Sequence, residues 1–226
     1  MVVVLVGFMG AGKTTVGHIL AERLGQPFVD SDVLIEQRLG REIRDIFATE
    51  GEPYFRQLEH VTVAELVRGP EAVVALGGGA VEDPRTRAVL RNARVVYLRV
   101  GYDEAMARVK SDQFRPMLHR PDLDAVYNRR LPVYDNLSFV TIDTDGHRPD
   151  AIAMEVLAAL SRLPRHRRRR RSAQVIRSPP RWLPATRLAA YGTSNAWPPR
   201  SAWPRSASTS CRASTSARWW RVLRYR

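Results

Sequence analysis

Gly7-Phe-Met-Gly10-Ala-Gly12-Lys13-Thr14 carries the spacing G-x-x-x-x-G-K-[ST], directly after an apolar run and directly before a helical pattern. Glycines at those positions let backbone N–H groups close around phosphate oxygens, and a helix N-terminus adds positive potential. Lys13 is one of two lysines in the chain, against 34 arginines. A compact ammonium on a flexible stem reaches β- and γ-phosphates inside such a loop, where a planar guanidinium does not fit as well. Thr14 supplies a hydroxyl suited to Mg²⁺. The loop therefore predicts a nucleoside triphosphate and leaves the second substrate open.

Three further clusters carry chemistry. Asp30-Ser31-Asp32 offers two carboxylates two residues apart, one able to hold Mg²⁺ through water and the other to accept a proton from a substrate hydroxyl. The competing reading is that both only cap the following helix. Gly77-Gly78-Gly79 brings bare backbone against a ligand, or is merely a turn. Arg56, Arg115 and Arg130 could grip a carboxylate or neutralise a transferring phosphoryl group, although most arginines in so arginine-rich a chain are solvated surface charges.

These clusters need elements to hold them. Val2 to Val6 reads as a strand buried on both faces. Val16, Ile19, Leu20 and Leu24 form one helical face that Gly25 ends. Pro27 to Val29, Ala72 to Leu76, Arg94 to Val100 and Phe139 to Ile142 read as further strands. Helices are predicted from a Ser31 cap to Leu39, from Pro53 onward, from Asp83-Pro84, and over Asp103 to Val109, Asp122 to Arg130 and Pro149 to Leu163, and Ile43, Ile46 and Phe47 make a further apolar face ahead of Pro53. Lys110 to Pro121 reads as a loop. Strands alternating with helices predict an α/β fold, a three-layer α/β/α arrangement around a five-stranded parallel sheet.

The composition divides the chain near Pro164. Residues 165 to 226 hold 16 Arg, all five Trp and Cys211, with no Lys, Asp or Glu, so the formal charge of +13 splits into +16 there and −3 before it. The basic pI consequently says nothing about the partner of the folded part. One cysteine excludes an intramolecular disulfide framework and a Cys-rich zinc site. No apolar run reaches the length of a membrane span, and the apolar start lacks a positive leader, so a cytoplasmic protein without membrane association is expected. The tail lacks periodicity and predicts disorder. Its bias is what a wrong reading frame in GC-rich DNA gives, which is the preferred origin; nucleic-acid binding through interleaved Arg and Trp is expected only if the tail is genuine.

Taken together, GFMGAGKTTVG, FVDSDVLIEQRLGREIRDIFATEGEPYFRQLE, LGGGAV, FRPML and RRLPVY resemble shikimate kinase, a nucleoside-monophosphate-kinase-like P-loop family, from about Val2 to Leu163. The resemblance implies ATP-dependent phosphorylation of the shikimate 3-hydroxyl, with Mg²⁺, by a monomer. It implies that Gly10, Ala11, Gly12, Lys13, Thr14 and Thr15 bind ATP, that Arg108 and Pro149 frame the adenine, and that Asp30 joins Thr14 at the metal. Asp32 holds substrate hydroxyls and is placed to act as base, Arg56 and Arg130 take the substrate carboxylate, and Gly77, Gly78 and Gly79 lie beside it. Arg115 sits in a lid over 110–121, near the nucleotide and the transferred phosphate. The stretch from Arg115 to Arg130 is about one helical turn shorter than the family leads one to expect, so Arg129 is an alternative to Arg130. Gluconate kinase is the nearest competitor, sharing the loop and an acid.

Overall fold

The computed structural model describes residues 2–109 and 122–162. The expected lid, Arg115 within it, and the Arg/Trp-rich tail lie outside the described residues. Five short strands form one parallel sheet: β1 (Val3–Val6), β2 (Phe28–Asp30), β3 (Val73–Ala75), β4 (Arg94–Arg99) and β5 (Val140–Asp143). Their order is β2-β3-β1-β4-β5, with Val3 opposite both Val73 and Arg94. β1 is central and wholly buried, which is why it is an unbroken run of Val and Leu.

The helices are α1 (Lys13–Leu24), α2 (Ser31–Leu39), α3 (Ile43–Arg68), α4 (Pro84–Leu90), α5 (Tyr102–Val109), α6 (Leu123–Leu137) and α7 (Pro149–Ser161), with a 3-10 helix at Ala80–Glu82. They cover the sheet as the expected α/β/α sandwich. The main core packs β1, β4 and β5 against α1, α5, α6 and α7 through Leu5, Val16, Leu20, Leu98, Val126 and Val156. A second cluster, Ile35, Ile46, Phe55 and Leu58, fastens α2 to α3.

Three local differences from the sequence reading have physical causes. Asp30, not Ser31, caps α2: its side chain accepts from the Asp32 N–H at 3.0 Å. Ser31 is instead fully buried as the first helical residue, and its hydroxyl accepts from the Gly77 N–H at 3.1 Å. The apolar face at Ile43, Ile46 and Phe47 and the helix expected from Pro53 are continuous in α3, joined across a kink at Gly51 (φ 82°, ψ 170°) just ahead of the proline. α6 runs on to Leu137 through Pro132, where the sequence suggested a stop near Arg130. Val126, Arg130 and Tyr134, each four residues apart and all buried, supply the packing that outweighs the hydrogen bond Pro132 cannot make.

Candidate active site

In a parallel sheet, ligands gather beyond the carboxyl ends of the strands. The loop after β1 turns sharply there, with Gly10 (φ 75°) and Gly12 (φ 82°) both left-handed. Gly10 also has no room for a side chain, since a Cβ would stand 2.7 Å from the Ala105 carbonyl oxygen on α5. Gly12 takes the N-cap of α1 without any side-chain acceptor, leaving the first-turn N–H groups of that helix for an anion. Lys13 Nζ folds back over the loop and donates to the Gly7 and Phe8 carbonyls, each at 2.9 Å.

On one side of this loop is a cleft of about 340 Å³ lined by Gly10, Ala11, Gly12, Thr15, Arg108 and Pro149, together with Glu104, Gly146 and His147. Every described residue expected at the nucleotide is therefore in or beside it, apart from Lys13, whose ammonium folds back over the loop, and Thr14, which turns toward β2. Arg108 is a tie-bar across that cleft. It donates to the Gly10 carbonyl at 3.1 Å and the Thr144 carbonyl at 2.7 Å, while Glu104 accepts from its Nε at 3.0 Å.

On the other side, Thr14 Oγ1 lies 3.2 Å from Asp30 Oδ2. A hydroxyl and a carboxylate are the hard oxygen donors that Mg²⁺ takes when phosphates and waters fill its other positions. No group of three or more His, Cys, Asp or Glu placed to hold a metal exists among the described residues. Asp30 thus both caps α2 and faces Thr14.

The three glycines after β3 are the meeting point of the remaining residues. A Cβ on Gly77 would stand 2.6 Å from Asp32 Oδ1 and 2.9 Å from Glu59 Oε1. One on Gly78 would be 3.5 Å from Arg130 Nη1, and one on Gly79 would overlap the Arg56 guanidinium. Asp32, Arg130 and Arg56 come from three different helices, and the bare loop lets all three approach one short stretch of backbone. Arg56 donates to Glu59 at 2.7 Å and to Glu52 at 2.9 Å. Between Arg56 and the 3-10 helix opens a second cleft of about 430 Å³, lined by Glu52, Pro53, Arg56, Glu82 and Asp83.

Burial, then the neighbouring Asp30 carboxylate, push the Asp32 carboxyl up to about 6, with Lys13 and Arg56 pulling the other way. Burial likewise pushes Glu59 up to about 7 against the pull of Arg56. The structure distinguishes Arg130 from Arg129: Arg130 is 4% exposed and turned to Gly78, Arg129 is 60% exposed on the outer flank of α6.

Four contributors escaped the sequence reading. Glu59 appeared only as the last letter of FRQLE, although its i,i+3 spacing from Arg56 is the signal of a helical ion pair. Tyr134, the Y of RRLPVY, donates to the Gly78 carbonyl at 2.7 Å. Ser31 was read only as a cap. Glu82 had no signal at all, since its partners are 47 and 48 positions away.

Residues 9–161 match the sequence profile of the family described as Shikimate kinase. The shikimate kinase of Thermobifida fusca (strain YX) is 48% identical over 153 residues, which is 66% of this chain and 89% of the relative. That of Mycobacterium tuberculosis (strain CDC 1551 / Oshkosh) is 41% identical over 161 residues, 70% of this chain and 92% of the relative. Among solved structures, shikimate kinase from Acinetobacter baumannii in complex with shikimate superposes with a TM-score of 0.68 at 38% identity, covering 71% of this chain and 92% of that one. These matches favour this family over the gluconate kinase alternative. With a phosphate loop, paired acids, the half-buried Arg56 and the buried Arg130 at one end of the sheet, the chain belongs to the shikimate kinase family, kinases that phosphorylate a shikimate hydroxyl with ATP.

Proposed function

We propose that the cleft beside Gly77–Gly79 takes shikimate, and that the γ-phosphoryl group of ATP passes to its 3-hydroxyl. The observation that carries this reading is the convergence on one glycine loop of a half-buried acid, Asp32, and two arginines from different helices, Arg56 and Arg130. A carboxylate-bearing polyol needs that combination: guanidinium forks for the carboxylate and an acid for the reacting hydroxyl.

Within this reading, Gly10, Ala11, Gly12, Lys13, Thr14 and Thr15 hold the triphosphate, and Arg108 and Pro149 flank the base. Thr14 and Asp30 are the residues that would hold Mg²⁺, which when bound neutralises charge on the phosphate oxygens. Asp32 accepts the hydroxyl proton as the O–P bond forms. Lys13, and Arg115 from the lid over 110–121, offset negative charge on the transferring group. The catalytic unit is residues 1–164, a monomer in the cytoplasm; among the described residues no helix is long and apolar enough to cross a membrane. The Arg/Trp-rich remainder is dispensable for the chemistry.

The test is a coupled ADP-release assay with ATP and Mg²⁺ on the full chain and on a chain ending at Pro164, offering shikimate, gluconate or AMP. Turnover with shikimate alone, equal in both chains, is the expected result. Turnover with gluconate or AMP instead would refute the substrate, and loss of turnover on truncation would refute the dispensable tail.

A further inference from the structure

Arg129 and Arg130 stand side by side on α6 and reach for the same carboxylate. Glu82 Oε2 accepts from Arg130 Nη2 at 3.2 Å, and Glu82 Oε1 accepts from Arg129 Nη2 at 2.9 Å. Burial works against charge on Glu82, but the two arginines outweigh it and hold the carboxyl below its ordinary value. Glu82 is also anchored by its backbone. Its N–H donates to the Gly79 carbonyl at 2.9 Å, and its carbonyl accepts from Arg87 Nη1 at 2.8 Å. A carboxylate three residues beyond the glycine loop is thus fixed to that loop, and it grips the arginine that lies against Gly78 from the opposite helix.

A guanidinium donates in its plane, so fixing one of its nitrogens restricts where the others point. Arg130 Nε is buried without a hydrogen-bond partner among the described residues, and Nη1 faces Gly78. The group therefore has donor capacity to spare while its orientation is set. Glu82 lines the same cleft as Arg56, where a bare carboxylate would repel an acidic ligand. Shared between two arginines, it leaves the trio with a net positive charge, and the attraction survives.

We propose that Glu82 is a positioning residue for the acceptor: it acts through Arg130, presenting the guanidinium already aimed at a carboxylate ligand, so that the ordering cost is met before the ligand arrives. This rests on the reading of Arg130 as a ligand of the substrate carboxylate. Glu82 itself does not touch the reacting atoms.

Steady-state kinetics on the full chain test it, varying shikimate and ATP separately. Glu82→Gln keeps the shape and removes the charge. Its expected effect is a shikimate KM raised about tenfold, with the KM for ATP and kcat within about twofold of the parent. Glu82→Asp keeps the charge but shortens the reach, and its shikimate KM should fall between the two. In an Arg130→Ala background, Glu82→Gln should add nothing further, because the two residues act as one unit. An unchanged or lower shikimate KM in Glu82→Gln overturns the proposal, as does a parental KM in Glu82→Asp, a rise shared equally by ATP, or an undiminished effect in the Arg130→Ala background. If Arg130→Ala itself leaves the shikimate KM unmoved, the failure lies in the reading of Arg130, and Glu82 falls with it.

Discussion

The Tyr134 hydroxyl donates to the Gly78 carbonyl across 2.7 Å, pinning the middle of the glycine loop to the helix that carries Arg130. Tyr134 is buried and its ring stacks on Tyr97 with centroids 5.0 Å apart, so the phenol has no freedom to point elsewhere. Tyr134→Phe keeps the ring and deletes the bond. It should cost about 1–3 kcal/mol of stability, read from denaturant unfolding, and raise the shikimate KM more than the ATP KM. Equal rises would mean the tyrosine matters only to general packing.

The three glycines should differ sharply in tolerance. A methyl on Gly79 overlaps the Arg56 guanidinium, and one on Gly77 presses on both Asp32 and Glu59, whereas one on Gly78 meets Arg130 Nη1 at 3.5 Å, an ordinary contact. The Gly79→Ala and Gly77→Ala variants are expected to lose at least about tenfold in kcat/KM for shikimate, and Gly78→Ala much less. Parallel assays of the three variants check the order; a Gly78→Ala loss as large as the others contradicts it.

Lys13→Arg preserves charge and places a fork where the loop accommodates a point. Lys13 Nζ sits between the Gly7 and Phe8 carbonyls at 2.9 Å from each, a space that a guanidinium overfills. kcat/KM should fall by at least about a hundredfold, with the thermal midpoint little changed. Near-parental turnover would show that charge alone suffices.

Glu59 gives stability a pH dependence. Its carboxyl is pushed up to about 7, against an ordinary 4.5. Between those values the folded chain keeps a proton that the unfolded chain has released. The stabilisation is thus complete below about pH 4.5 and is lost as pH rises through about 7. Glu59→Gln is neutral throughout, so its thermal midpoint should gain on the parent between about pH 5 and pH 8. A difference that stays flat over that range would mean Glu59 is ionised in the fold at every pH measured.

How much of this was legible follows from the range of each interaction. The phosphate loop was readable because its glycines, lysine and threonine lie within eight consecutive positions and declare their own turn. The strands were readable because each is a short apolar run. Arg56 and Arg130 could be singled out only by resemblance, since an arginine's letter does not say which way it faces. What separates Arg130 from Arg129 is a turn of about 100° around α6, which moves one guanidinium from the flank to the interior. Glu82 stayed invisible because its meaning depends on α6 arriving from nearly fifty residues away.

The strand order divides labour on either side of β1. β2 and β3 deliver Asp30, Asp32 and the glycine loop, while the loop beyond β5 delivers Thr144 and Gly146 to the cleft around Gly10 and Arg108. On the proposed function, donor and acceptor chemistry are therefore inherited from opposite halves of one sheet, with the phosphate loop as the shared border. A lineage could remodel what it phosphorylates by altering the β2–β3 half and leave its grip on the nucleotide untouched. α6 is the exception: it lies in sequence between β4 and β5, yet carries Arg130 across to the glycine loop after β3. Any such drift in substrate would have to be negotiated with that helix.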